Sequence, residues 1–161
     1  MKKLVICLFV LSGCAYQPLY KASNPILSNH TSFIVKSKER YGNDENLMKI
    51  FLDQNLNLKD ASPSSLKLVI SIQKTIAGLG INKDLSSTGT LMTYVVNFSL
   101  YDKKGYLTSG TISKKSSYSL SLDSYGNLIT EEDSSKKLIK SIAESISHVI
   151  LSQNFERKIS P

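Results

Sequence analysis

Between Leu66 and Tyr101 the chain writes a period-two alternation twice. Leu66, Leu68, Ile70, Ile72 and Ile76 occupy even positions, with Lys67, Ser71, Gln73 and Thr75 between them and Val69 as the exception. Met92, Tyr94, Val96, Phe98 and Leu100 then repeat the pattern. Successive side chains of a strand point to opposite faces, so both segments predict strands with one apolar face and one polar face. Asp102-Lys103-Lys104-Gly105 follows as a hairpin turn, and Leu107–Leu122 returns as a further strand interrupted by Gly110. Gly78, Gly80 and Ser86–Gly89 predict a connection between the first two strands.

The flanks read differently. Thr31–Lys38 alternates weakly, with Phe33 and Val35 on one face and Ser32, Ile34 and Lys36 on the other, and predicts an opening strand. Asn43-Asp44 offers a cap, after which Leu47, Ile50, Phe51, Gln54 and Leu58 fall on one stripe of a helix ending near Leu58. Ala61-Ser62-Pro63 stops it. After Ser124–Asn127, the acidic run Glu131-Glu132-Asp133 marks the first turns of a last helix, where negative charge suits the dipole. Its stripe is Leu138, Ile139, Ile142, Ile146, Val149 and Ile150. The order is β-α-β-β-β-α. It predicts an α+β two-layer sandwich, two helices on a four-stranded, mostly antiparallel or mixed sheet.

The N-terminus has a different character. Lys2 and Lys3 precede the apolar run Leu4–Leu11, the small residues Ser12 and Gly13, and Cys14. This is the order of a secretory signal, and the run is too short to cross a bilayer of ~30 Å as a helix. Leu11-Ser12-Gly13-Cys14 resembles the lipobox of bacterial lipoproteins. The resemblance implies cleavage before Cys14 and acylation of that residue. The expected divisions are a signal peptide over 1–13, a lipidated Cys with an extended tether over 14–30, one α+β domain over 31–155, and a tail over 156–161. Pro18 and Pro25 sit in the tether. One buried acyl chain holds a protein only marginally, at ~0.8 kcal/mol per CH₂, whereas several anchor it stably. Ala15 after the Cys, in place of Asp, points to the outer membrane.

Chemical motifs are sparse. The two His residues, His30 and His148, stand apart, and Cys7 leaves with the signal. His148, beside the apolar stripe of the last helix, reads as a structural histidine. No metal-ligand spacing, nucleophile elbow, phosphate loop or dinucleotide fingerprint occurs, so neither an enzyme nor a cofactor is expected. The formal charge of +7 rests on 20 basic residues against 13 acidic ones, and the cleavage that the lipobox resemblance implies would remove Lys2 and Lys3. Tyr94, Tyr101, Tyr106 and Tyr118 alternate with lysines in a way that could stack on single-stranded nucleic acid. An exported lipoprotein does not meet that partner.

Cys14-Ala15-Tyr16-Gln17-Pro18-Leu19-Tyr20 resembles the mature start of the lipopolysaccharide-assembly lipoproteins, the LptE family, particularly those of alphaproteobacteria. Further resemblance lies in Leu66-Lys67-Leu68, in the strand from Tyr94 through Leu100-Tyr101-Asp102, and in Thr108-Ser109-Gly110-Thr111 followed by Ser116-Ser117-Tyr118. It spans roughly Leu11–Gln153. Relatives often carry an Arg between Thr88 and Tyr94. This chain has none, so no lipid-binding role carries over to that segment. The resemblance implies a lipid-anchored protein on the periplasmic face of the outer membrane. Such a protein plugs the large β-barrel of the lipopolysaccharide translocon, assists its assembly and contacts lipopolysaccharide. The alternative is a lipid-carrier or transport-auxiliary lipoprotein of similar fold, which would need an apolar cavity. Lys83, Lys103, Lys104, Lys114 and Lys115, expected in or beside the strand-connecting loops, are the candidate contacts to lipopolysaccharide phosphates.

Overall fold

A computed structural model describes residues 29–38, 43–57, 62–81 and 87–153. The expected signal peptide over 1–13, Cys14, most of the expected tether over 14–30, Lys83 and the tail over 156–161 lie outside the described residues. The elements are β1 (Asn29–Ser37), α1 (Asp44–Leu56), β2 (Ser62–Ile81), β3 (Ser87–Asp102), β4 (Gly105–Ser119) and α2 (Ser124–Ser152). They follow the expected β-α-β-β-β-α order. β1 begins inside the stretch expected as tether. The sheet order is β1-β2-β3-β4, with β1 parallel to β2 and the other pairs antiparallel. The parallel pair is joined through α1, because parallel neighbours need a crossover whereas antiparallel ones need only a turn.

Both helices lie on the face that carries the even-numbered residues of β2 and β3. Leu66, Leu68, Ile70 and Ile72 of β2 are buried there, together with Met92, Tyr94, Val96, Phe98 and Leu100 of β3 and Val35 of β1. Met48, Leu52 and Leu56 of α1 and Leu138, Ile139, Ile142, Ala143, Ile146 and Ile150 of α2 close over them. Each large aliphatic side chain so buried contributes about 1.5–3 kcal/mol. Asn57, just past α1, accepts from Thr31 N at 2.8 Å and donates to Thr31 O at 3.1 Å, tying the helix end to β1.

Four details depart from the sequence expectations. The buried stripe of α1 is Met48, Leu52 and Leu56, not the stripe through Ile50 and Gln54. Ile50 is 50% exposed, while Leu47 and Phe51 pack along the margin of the core. The helix touches both the sheet and α2, so its apolar arc is broad and its centre falls one residue later than expected. Second, β2 and β3 continue as paired strands through Gly78, Leu79 and Gly89, where a connection was expected. The even-residue burial fades there, and Ile76 is 47% exposed.

Third, α2 starts well before the acidic run. Asp123 accepts from Tyr125 N at 3.1 Å and from Gly126 N at 3.0 Å, which satisfies two otherwise unpaired amides of the first turn. Glu131, Glu132 and Asp133 lie beyond that first turn. At the far end Val149 is partly exposed and His148 lies on the exposed side of the helix. Fourth, β4 runs unbroken through Gly110. A Cβ there would stand 2.8 Å from two carbons of the Phe98 ring, so glycine is what lets β4 close over that ring.

Candidate interaction surface

The odd-numbered side chains of β2 and β3 project from the face opposite the helices, and no described element covers it. Its middle cross-strand rows read Lys36, Ser71, Asn97 and Thr111, then Gln73, Val95 and Ser113, then Thr75, Thr93 and Lys115. Towards the β3–β4 turn they become Ile34, Val69, Ser99 and Ser109, then Lys67, Tyr101 and Tyr106. Towards the other end they become Ala77, Leu91 and Ser117, then Leu79, Gly89 and Ser119. Most residues of the middle rows are exposed, and short hydroxyl or amide side chains dominate there. Thr111 Oγ1 donates to Asn97 Oδ1 at 2.6 Å across the strands. A sheet with one packed face and one solvated face normally shows this alternation. Here the middle of the open face is rich in groups that hydrogen-bond without bulk, while Tyr101 and Tyr106 stand at the turn end and Leu79 and Leu91 at the other.

Lys103 and Lys104 occupy the β3–β4 turn, exposed, as the sequence suggested. Asp102 Oδ1 accepts from Lys104 N at 2.7 Å, and Gly105 takes a φ of 124° to close the turn. Lys114 and Lys115 are not in or beside a loop. Both lie within β4, paired with Tyr94 and Thr93. Lys115 points to the open face. Lys114 points to the helix side, where its Nζ donates to Ser141 O at 2.9 Å and Ser141 Oγ at 2.6 Å. It is a strut between β4 and α2, with its charge committed to a helix.

The cause is a register shift between Leu100 and Tyr101. Tyr101 pairs with Tyr106, but Leu100 pairs with Thr108, which leaves Leu107 as an extra residue on β4. One extra residue reverses the faces of the rest of a strand. Without it Lys115 would point inwards and Lys114 outwards. Lys36 and Lys67, which were not singled out from the sequence, also point to the open face. Lys67 pairs with Tyr101, close to the turn that carries Lys103 and Lys104. The alternation around Lys67 was the signal that could have found it.

On the helix side, polar groups converge where α1 begins. The hydroxyl of the fully buried Tyr94 meets Asp44 Oδ2 at 2.7 Å and Ser135 Oγ at 2.8 Å. Lys74 Nζ pairs with Glu131 Oε1 at 2.8 Å, and Tyr118 donates to Glu131 Oε2 at 3.4 Å. These bonds staple α1, β2, β3, β4 and α2 together. Beside them opens a cleft of about 600 Å³ whose lining includes Asp44, Leu47, Lys74, Leu128, Ile129 and Glu132. Among the described residues no three His, Cys, Asp or Glu side chains are placed to hold a metal ion. No described helix is long and apolar enough to cross a membrane.

No protein-family model matches the chain, and no curated protein matches it either. Solved structures do. A chain from Caulobacter crescentus CB15 described as a lipoprotein superposes with a TM-score of 0.58 at 15% identity, over 76% of this chain and 88% of its own. Rare lipoprotein B from Shewanella oneidensis gives 0.55 at 16% identity, over 76% and 95%. A minor lipoprotein from Acinetobacter baumannii gives 0.51 at 19% identity, over 80% and 94%. At such identities the likeness is one of fold, and it extends over nearly the whole of each relative.

Proposed function

We infer that this chain is a lipid-anchored plug and assembly subunit of the large β-barrel that carries lipopolysaccharide to the cell surface. The observation that carries the reading is the open Ser-, Thr- and Asn-rich middle of a sheet whose other face packs against the helices over Leu66–Ile72 and Met92–Leu100. A plug inside a water-filled barrel needs a stiff domain with a hydrated, low-bulk surface towards the wall. The polar lumen of such barrels matches short hydroxyl and amide groups better than an apolar patch. The lipoprotein folds it resembles, the apolar N-terminal run ending at Cys14, and the Cys14–Tyr20 start support the same reading. The anchor holds the domain at the periplasmic face of the outer membrane. Lys103 and Lys104, joined by Lys67, are the cationic group placed to meet lipopolysaccharide phosphates.

The lipid-carrier alternative is less well supported. The interface between helices and sheet is filled by side chains such as Met48, Leu52, Ile72 and Ile142, all at 0% exposure. The cleft beside it is lined by carboxylates and lysines as much as by apolar groups. Neither suits an acyl chain.

The test is affinity purification of the acylated full chain from outer membranes. A stable complex with one very large β-barrel, lost to the soluble fraction with Cys14→Ser, is the expected result. Recovery as a free monomer overturns the proposal.

A further inference from the structure

β1 stops short of its neighbour. Its last pairs are Ser37 with Ile72 and the bond from Lys38 N to Ile72 O at 3.1 Å, yet β2 runs on to Ile81. From Gln73 onwards no described strand pairs with β2 on the side away from β3. The direction of the open backbone groups follows from the ladder. Ile72 O points to β1, and in an antiparallel pair alternate residues direct both N–H and C=O to the same side. The groups of Gln73, Thr75 and Ala77 therefore serve β3, while those of Lys74, Ile76 and Gly78 face the open edge.

Among the described residues this edge has no strand partner; an edge left so is a template for another strand, and proteins normally blunt such edges with proline, bulges or cover. This stretch contains no proline. The floor beside it is apolar on the helix side. Leu128 is 52% exposed and Ile129 45%, with Leu47 next to them in the cleft and Ile76 on the edge itself. The rim is acidic. Asp44, Glu131, Glu132 and Asp133 line the cleft against Lys74 and Lys136. Lys74 is committed to Glu131 and Asp133 to Lys137, at 2.8 and 2.6 Å. The cleft is a region of negative excess on a chain whose overall charge is +7.

We propose that the open edge of β2 from Gln73 to Leu79, ahead of the turn-like Gly80 at a φ of 67°, accepts an extended segment of another protein as a fifth strand beside β2, beyond the last described pair of β1. Backbone bonds to Lys74, Ile76 and Gly78 supply the affinity. Selectivity comes from the side chains of the incoming strand that turn towards the helices. These must be apolar where they meet Leu47, Leu128 and Ile129, and basic where they meet Asp44 and Glu132. Its alternate side chains continue the polar open face beside Gln73 and Thr75, so they must be small and polar. The chemistry of the partner is thus an apolar and basic strand with a hydroxyl-bearing back. The site adjoins the plug surface along Gln73 and Thr75 but is built from the backbone edge and the helix side, and the proposal does not depend on that reading.

The probe is a synthetic peptide as long as the open edge, alternating threonine with leucine and lysine, added to the full chain. Bound peptide should slow hydrogen exchange at the amides of Lys74, Ile76 and Gly78 by about ten-fold or more, leaving Gln73 and Thr75 as they were. A version with glutamate in place of lysine should bind about ten-fold more weakly. Ile76→Pro removes a donor that β3 does not use, an edge position where proline is tolerated, and should weaken binding about ten-fold without lowering the melting temperature. Glu132→Lys, an exposed change on α2, should reverse the preference between the two peptides. The proposal is overturned by absent protection, by protection along β4 instead, or by equal binding of both peptides. It is also overturned if the chain self-associates in sedimentation and Ile76→Pro makes it monomeric, because a second copy then fills the edge.

Discussion

Removing one oxygen atom, with Tyr94→Phe, isolates the staple between the helices. The ring stays in the core, where Tyr94 is fully buried, so no cavity forms. What is lost is a hydroxyl 2.7 Å from the Asp44 carboxylate and 2.8 Å from Ser135 Oγ. A hydrogen bond to a charged group is worth about 1.5–3 kcal/mol. Two features lower the cost. Asp44 lines the cleft, so water can take the place of the hydroxyl, and Ser135 keeps its contact to Met92 Sδ at 3.4 Å. The expected loss is therefore about 2 kcal/mol. In a domain of this size that lowers the melting temperature by roughly 4–8 °C. Urea unfolding followed by far-ultraviolet circular dichroism should show an earlier midpoint with an unchanged slope, since the buried surface is unaltered. A double-mutant cycle with Asp44→Asn should return a coupling of about 1 kcal/mol or more. A loss below about 0.5 kcal/mol, or purely additive variants, refutes the staple.

Three further outcomes follow from the same geometry. Gly110→Val pushes a side chain into the Phe98 ring and should cost about 1–3 kcal/mol by overpacking, read as a lower melting temperature that Phe98→Leu partly restores. Asp123→Ala unpairs two amides at the start of α2 and should cost about 1 kcal/mol, whereas Asp123→Asn should cost less. Reversing charge with Lys103→Glu and Lys104→Glu should weaken lipopolysaccharide binding while stability stays within about 0.5 kcal/mol, as expected for exposed turn residues. Unchanged binding in an immobilised-lipopolysaccharide assay leaves those lysines as a solvated turn only.

The sheet was readable in the sequence because period-two alternation over Leu66–Ile72 and Met92–Leu100 leaves no competing helical phase. The phase of α1 was not. Leu47, Met48, Ile50, Phe51 and Leu52 are all apolar, so two stripes compete, and only the position of α2 decides between them. The long β2–β3 extension was hidden by Gly78, Gly80 and Gly89. These weaken strand propensity; pairing with Thr90 and Leu79 holds Gly78 and Gly89 in place, and Gly80 takes a φ of 67° that suits glycine. The start of α2 was obscured by Gly126 and Asn127, poor helix formers retained behind the Asp123 cap. Among the candidate lysines, the turn pair was visible from Asp102–Gly105. The inward turn of Lys114 was not, since it depends on one extra residue at Leu107 that no propensity marks.

The proposed plug role requires the open sheet face to meet the wall of a partner barrel. Photocrosslinking from single positions reads that contact, with the probe at Ser113 or Gln73 on the open face and at Lys140 on the exposed side of α2. Crosslinks to one large β-barrel protein from Ser113 and Gln73, with little from Lys140, are the predicted result. Crosslinks from Lys140 with none from the sheet face would contradict it.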